Sequence, residues 1–277
     1  MNNIQLEEAK KKEILLIERL KSFKKVLVAF SGGVDSTYLL AVARESLGDN
    51  CKGIFARGPM ISSQEEKEAL ALVERNNFQV QIIEVDVLNL PEFRNNPPNR
   101  CYFCKKKLFK AFIEYNQEED NATVIEGTNA SDVLDYRPGR IALQELGVIS
   151  PLHDVGLTKA EIRSLSHLRN LTTWNKPSMA CLASRIPYGD SISLELLQRI
   201  GQAEAILYEK GYIESRVRVH GEIARIEIPV SNFSKLIQEH TEISALLSEL
   251  GFKFVTLDLM GLRSGSLNPI SREALYE

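Results

Sequence analysis

The chain has 277 residues, 44% of them hydrophobic, and its 37 acidic side chains against 34 lysines and arginines leave a net charge of −3 at pH 7. That length and apolar content suit one large domain, or a main domain with a small companion, and the near-balanced charge argues against a chain given over to nucleic acid. No apolar run approaches the roughly 20 residues of a membrane span, and the charged, amphipathic opening MNNIQLEEAKKKEILLIERLKSF lacks the parts of a secretory signal, so a cytoplasmic protein is expected.

In chain order, KVLVAF (25–30) predicts a buried strand, and a helix-compatible stretch follows from about Ser36 to Leu47. CKGIFAR (51–57) predicts a second strand, then a helix from near Ser63, where Glu66 three residues on makes a capping box. QVQIIEVDV (79–87) predicts a third strand, a lysine-rich helix lies near 103–115, and TVIEGT (123–128) predicts a fourth strand. Such alternation implies a parallel sheet with helices on both faces.

After about Pro187 the pattern changes. A helix over 191–210 precedes SRVRVHGEIARIEIP, two alternating runs that read as a hairpin about His220-Gly221-Glu222. A helix over 231–250 and a strand over 253–259 complete the order. The expected architecture is α/β: a parallel Rossmann-like sheet over 1–186 with helices on both faces, and a small α+β domain of α-β-β-α-β order over 187–277.

The chemistry begins at SGGVDS (31–36), between the first strand and its helix. Backbone N–H groups of a glycine-rich turn at a helix N-terminus form an anion site. A Walker A loop needs a lysine that is absent at the required spacing, and a dinucleotide fingerprint needs G-x-G-x-x-G rather than adjacent glycines. The stretch instead resembles, residue for residue, the SGGxDS loop of the PP-loop ATP pyrophosphatases. The resemblance implies that the loop grips the β/γ-pyrophosphate of ATP and that AMP is placed on a substrate oxygen. Gly32 and Gly33 would let the backbone close on the phosphates, Ser31 and Ser36 would donate hydroxyls, and Asp35 would position Mg²⁺. In EGTNASDVLDYRPGR (126–140), the same likeness puts Gly127 beside the nucleotide, with Asp132 and Asp135 as Mg²⁺ or ribose contacts or as turn formers.

Of the four cysteines, Cys51 opens an apolar strand and is assigned to the core. Cys101 and Cys104 form a C-x-x-C pair, and Cys181 lies far downstream. Stable disulfides are rare in cytosolic proteins, and the four histidines show no zinc-ribbon spacing. Zinc completed by a distant histidine and a [4Fe–4S] cluster with one iron lacking a protein ligand both remain open on the residues alone.

SPLHDVGLTKAEIRSLSHLRNLTTWNKPSMACLASRIPYGD, with GTNASD, RPG and RVRVHG, resembles the LarE family of ATP-dependent sulfur transferases over essentially the full length. The resemblance implies assembly of the nickel-pincer nucleotide cofactor of lactate racemase and related enzymes, from pyridinium-3,5-biscarboxylic acid mononucleotide, with hexamers built from trimers. One family type sacrifices a cysteine that Cys181 matches; another holds a [4Fe–4S] cluster on three cysteines. The presence of Cys101 and Cys104 beside Cys181 fits the cluster type. By the same likeness Ser184, Arg185, Arg216 and Arg218 bind the nucleotide phosphate; strand period places Arg216, Arg218 and His220 on one face. Glu204 would add an acidic contact or lie on a solvated helix face, and Trp174 is expected to pack. Rival readings are tRNA 2-thiolation, which needs a basic RNA surface, and an amidating ligase, which leaves the C-x-x-C pair without a purpose.

Overall fold

The computed structural model describes residues 3–119, 121–134, 138–177, 180–263 and 265–267. In chain order the elements are α1 (Asn3–Ser22), β1 (Val26–Ala29), α2 (Val34–Leu47), β2 (Cys51–Arg57), α3 (Ser63–Arg75), β3 (Val80–Glu84), α4 (Pro91–Arg94), α5 (Arg100–Glu119) and β4 (Thr123–Ile125). There follow α6 (Gly139–Glu145), α7 (Pro151–Asp154), α8 (Lys159–Leu168), α9 (Leu194–Glu209), β5 (Arg216–His220), β6 (Ile223–Glu227), α10 (Phe233–Gln238), α11 (His240–Glu249) and β7 (Phe254–Leu257). Among the described residues no helix is long and apolar enough to cross a membrane.

Two compact units form. The first comprises Met1–Gly58, Glu65–Val87 and Asn99–Met179; the second comprises Pro59–Gln64, Leu88–Pro98 and Ala180–Glu277. In the first, four strands pair in the order β3-β2-β1-β4, all parallel. Parallel strands carry apolar side chains to both faces because helices cover both. Leu27, Ile54 and Val124 pack with Phe109 and Phe112 of α5 and Leu143 of α6. On the other side Leu40 of α2 lies over Gly53, and α2 in turn packs against α1 and α8. Helix α1 buries Ala9, Leu16 and Leu20 while leaving Ile4, Ile14 and Leu15 exposed.

The second unit carries β5-β6-β7, with β5 antiparallel and β7 parallel to the central β6. The hairpin forms as expected, with His220 opposite Ile223 and Gly221 at φ 59°. The helix expected over 231–250 is broken at Glu239, which ends α10 and precedes α11. The break is stitched by side chains: His240 Nδ1 lies 2.8 Å from the Ile237 carbonyl, and Tyr212 donates to Glu239 Oε2 at 2.8 Å. The segment around α4 joins this unit through backbone, as the Ile192 and Gly189 amides donate to the carbonyls of Arg94 and Asn96.

Helix α3 begins with Ser63 as its first residue. Glu66 accepts from Arg57 Nε at 2.5 Å, so the expected Ser63–Glu66 box is replaced by a strand-to-helix ion pair. A capping box does form elsewhere, at α8, where Thr158 and Glu161 satisfy each other's backbone amides.

Candidate active site

The turn between β1 and α2 is where a phosphate can be held. After Phe30, whose amide donates to the Ile54 carbonyl at 2.9 Å, the chain turns through Gly32 at φ 71°. That conformation disfavours any side chain, and a Cβ there would sit 2.8 Å from Cβ of Ala69. Gly33 caps α2 in extended geometry with no side-chain bond to the first amides, which leaves the positive end of a 14-residue helix open to an anion. Ser36 Oγ braces the turn: it accepts from the Ser31 amide at 3.1 Å, lies 3.0 Å from Ser31 Oγ and donates to the Gly33 carbonyl at 3.3 Å.

The segment after β4 closes on this turn. A Cβ on Gly127 would meet the Ser36 amide nitrogen at 3.0 Å and the Asp35 carbonyl carbon at 3.2 Å, so any side chain there would press on the backbone of α2. Glu126, buried just before it, accepts from the amide and hydroxyl of Thr128 (3.0 and 2.9 Å), from the Ser150 hydroxyl, and lies 3.8 Å from Lys105 Nζ. Asp132 receives the Asn129 amide at 3.0 Å. Asp135 lies outside the described residues.

Asp35 faces three polar groups. Lys159 Nζ donates to its Oδ2 at 2.5 Å, Asn129 Nδ2 reaches Oδ1 at 3.4 Å, and the Asp132 charge stands nearby. Burial holds its pKa above the usual carboxylate value; Lys159 and Arg163 oppose this and Asp132 adds to it. Lys159 is placed by the Thr158–Glu161 box and by its own amide, which donates to Ser131 Oγ at 3.0 Å. Glu161 is gripped by Lys12 of α1 at 2.7 Å. Lys176 adds a second cation, 3.3 Å from the Gly32 carbonyl and paired with Glu68 at 2.9 Å. Ser31, Gly32, Gly33, Asp35, Ser36, Gly127 and Asp132 gather in one unit. Lys159, Lys176 and Asn129 were not anticipated. The TKAE spelling marks a helix start, but nothing local says that its lysine meets a carboxylate 124 positions earlier.

All four cysteines are free thiols. Cys51 is buried on β2, as expected, and burial pushes its thiol up to about 12. Cys101 and Cys104 lie three residues apart at the start of α5, one exposed and one half-buried, on the same side of the helix. The Cys101 carbonyl and the Lys105 stem approach Gly139 at the start of α6. Cys181 is exposed and precedes the single turn Leu182–Arg185 in the second unit. Among the described residues no group of three or more His, Cys, Asp or Glu side chains is gathered for a metal. Thiolate is the donor that iron–sulfur clusters take, and Cys101, Cys104 and Cys181 are of that chemistry, whereas burial withdraws the Cys51 thiol from it.

The second unit holds the arginines. Arg185, buried, makes a bidentate pair with Glu204 (2.8 Å to each oxygen) and donates to the Ala180 carbonyl at 2.5 Å and Ser184 Oγ at 2.9 Å. Arg218, also buried, donates twice to Glu227 Oε2 (3.1 and 3.0 Å) and to the Ser184 carbonyl at 2.6 Å. Arg216 is half-buried and bonds the Arg263 carbonyl at 3.3 Å. Glu204 also accepts the Val217 amide at 2.9 Å, so it faces the sheet rather than solvent. Trp174 packs its edge against His167 but remains 40% exposed, in part contrary to expectation.

The family described as NAD synthase matches residues 12–110. An uncharacterized protein of Synechocystis sp. is 38% identical over 260 residues, covering 92% of this chain and 97% of its own. Pyridinium-3,5-bisthiocarboxylic acid mononucleotide synthase of Lactiplantibacillus plantarum is 35% identical over 258 residues, covering 93% of this chain and 94% of its own. A glutamine-hydrolyzing GMP synthase of Bartonella bacilliformis is 27% identical over 164 residues, which are 56% of this chain and 30% of that one. With the SGGVDS turn built at the head of a parallel sheet, and the likeness to the Lactiplantibacillus synthase running through both sequences almost end to end, the chain is an ATP-dependent enzyme of the LarE family of PP-loop proteins.

Proposed function

We propose that the chain is an AMP-forming sulfur transferase of nickel-pincer nucleotide synthesis that converts the carboxylates of pyridinium-3,5-biscarboxylic acid mononucleotide to thiocarboxylates. The observation that carries this is the SGGVDS turn, with Asp35 set beside Lys159 at the open end of α2, in a chain matched over 93% of its length to a synthase of the bisthiocarboxylic acid.

In the first step a carboxylate oxygen of the substrate attacks the α-phosphorus of ATP and pyrophosphate leaves. A carboxylate oxygen is a poor leaving group; as an acyl adenylate it leaves as AMP when sulfur attacks the acyl carbon. Two rounds give the bisthiocarboxylate. The turn's amides and the α2 N-terminus bind the departing pyrophosphate where negative charge accumulates. Asp35, with Asp132 close by, is the carboxylate suited to Mg²⁺, and Lys159 and Lys176 add positive charge at the same edge. Gly127 keeps the wall of the nucleotide pocket within van der Waals contact of α2.

Cys101, Cys104 and Cys181 would hold a [4Fe–4S] cluster, which when bound supplies the sulfide for the thiocarboxylate. Sequence segment 1–186 carries the adenylation chemistry. Segment 187–277 takes the substrate and joins copies into the oligomer, and the substrate's phosphate is received by Arg216 and Arg218 of that segment together with Ser184 and Arg185 just ahead of it.

Anaerobic purification with iron and sulfide analysis, alongside substrate-dependent release of pyrophosphate, tests the reading. Iron near four atoms per chain and pyrophosphate release that requires the biscarboxylate are expected. Turnover by iron-free protein, with Cys181 losing its sulfur by mass spectrometry, would shift the sulfur source to that side chain.

A further inference from the structure

Lys159 reaches Asp35 from the first residue of α8, across 124 positions of sequence. A lysine side chain at a helix end that frays would sample many rotamers, so the contact depends on how firmly that end is held.

The hold comes from α1. Lys12 Nζ donates to the two oxygens of Glu161 at 2.7 and 3.0 Å and to the Gly156 carbonyl at 2.9 Å. These acceptors lie on either side of the α8 N-cap. Gly156 is two residues before Thr158, and Glu161 is the carboxylate that accepts the Thr158 amide and hydroxyl, each at 2.8 Å. Burial opposes the charge on Glu161, but the bonds from Lys12 and Thr158 outweigh it and hold its pKa below the usual carboxylate value.

Helix α1 is itself a fixed base. It buries Ala9, Leu16 and Leu20. Glu13, next to Lys12, accepts from the Tyr38 hydroxyl of α2 and from Nε of Arg169, just past the end of α8, each at 2.8 Å. Arg169 also reaches Glu45 of α2. Side chains therefore tie α1, α2 and α8 together, and Asp35 on α2 meets Lys159 on α8 within that frame.

We propose that Lys12 is a positioning residue for the nucleotide site: by holding Glu161 and Gly156 it fixes the cap from which Lys159 reaches Asp35. This rests on the reading that the SGGVDS turn binds ATP, and it extends that site to a lysine of α1.

The test is a double-mutant cycle on calorimetric binding of magnesium α,β-methylene-ATP to the full chain, with the melting temperature of each variant recorded alongside. Lys159→Met is expected to weaken binding roughly tenfold or more. Lys12→Met should weaken it about three- to tenfold on its own. In the Lys159→Met background it should cost less than about twofold, because nothing is left to position. Lys12→Arg, whose guanidinium can also donate to both acceptors, should bind within about threefold of the wild type. Should Lys12→Met fail to fold, Glu161→Gln takes its place in the cycle, keeping an acceptor for Thr158 while loosening the grip of Lys12. A folded Lys12→Met variant that binds as tightly as the wild type overturns the proposal. So does an equal loss in both backgrounds, which would make Lys12 a support of the fold alone. Lys159→Met at wild-type affinity removes the end of the relay and overturns it too. Failure of the wild type to bind the nucleotide instead overturns the parent reading, and it does so without any variant.

Discussion

Asp35 is pulled two ways, and the balance sets its protonation. Burial favours the neutral acid, while Lys159 at 2.5 Å favours the anion. Replacing Lys159 with Met removes the favourable charge, so the Asp35 pKa rises further. If the anion binds the metal, the acid limb of the pH profile for pyrophosphate release should move to higher pH, while activity on the alkaline side changes less. A profile of Lys159→Met that superimposes on the wild type, apart from a uniform scale factor, would contradict this. At Gly32 two costs coincide, the left-handed φ and the 2.8 Å approach to Ala69. Gly32→Ala should cost about 1–2 kcal/mol from conformation alone, with a further cost from the contact. Gly33→Ala, at φ −81° with nothing nearer than Ser31 Oγ at 3.5 Å, should unfold at close to the wild-type temperature. Thermal denaturation of the two variants compares them directly.

At the scale of elements, α8 serves the nucleotide turn from a distance. Its capping box fixes the first turn, and that turn carries Lys159. Thr158→Ala should cost about 1 kcal/mol and also weaken ATP binding, because Lys159 loses its fixed starting point; denaturant melts and nucleotide titration would report the two effects separately. Thr158→Ser, which keeps the acceptor, should restore both. Strands β1 and β2 were legible because buried parallel strands spell largely apolar runs, β5 and β6 from their alternation, and the helices after β1 and β2 from their polar flanks. The break at Glu239 was not legible, since both halves of 231–250 keep helical character. Only the contacts of Tyr212 and His240 with the junction mark it. The Ser63–Glu66 box was misread for a related reason: Glu66 has a better partner in Arg57, on β2, and spacing along one helix is blind to that.

For the whole molecule, the strand-to-helix turn at SGGVDS could be located from six consecutive residues because it is local and rests on backbone geometry. The cations around it could not, because Lys159 and Lys176 reach the turn only through the fold. The pairing of the arginines was equally hidden. Strand period put Arg216 and Arg218 on one face, but only the fold pairs Arg218 with Glu227 and Arg185 with Glu204. Stability should also depend on pH through the second unit. Burial, aided by the Arg225 charge, holds the half-buried His220 imidazole below its unfolded value of 6.5. The unfolded chain then binds more protons below that value, so stability is full above pH 6.5 and declines as pH falls toward the folded pKa. His220→Gln should flatten that limb of a plot of melting temperature against pH, and an unchanged slope would assign the limb to other groups.

Cys51 has a practical consequence for anyone counting sulfhydryls. Walled in on β2 and holding its proton until about pH 12, it is silent toward Ellman's reagent in the intact enzyme and appears only once guanidine has opened the chain. A native titration therefore reads at most the three chemically interesting thiols, with the denatured sample as its own internal standard. Any scheme that strips or labels those three can leave the fourth where it is.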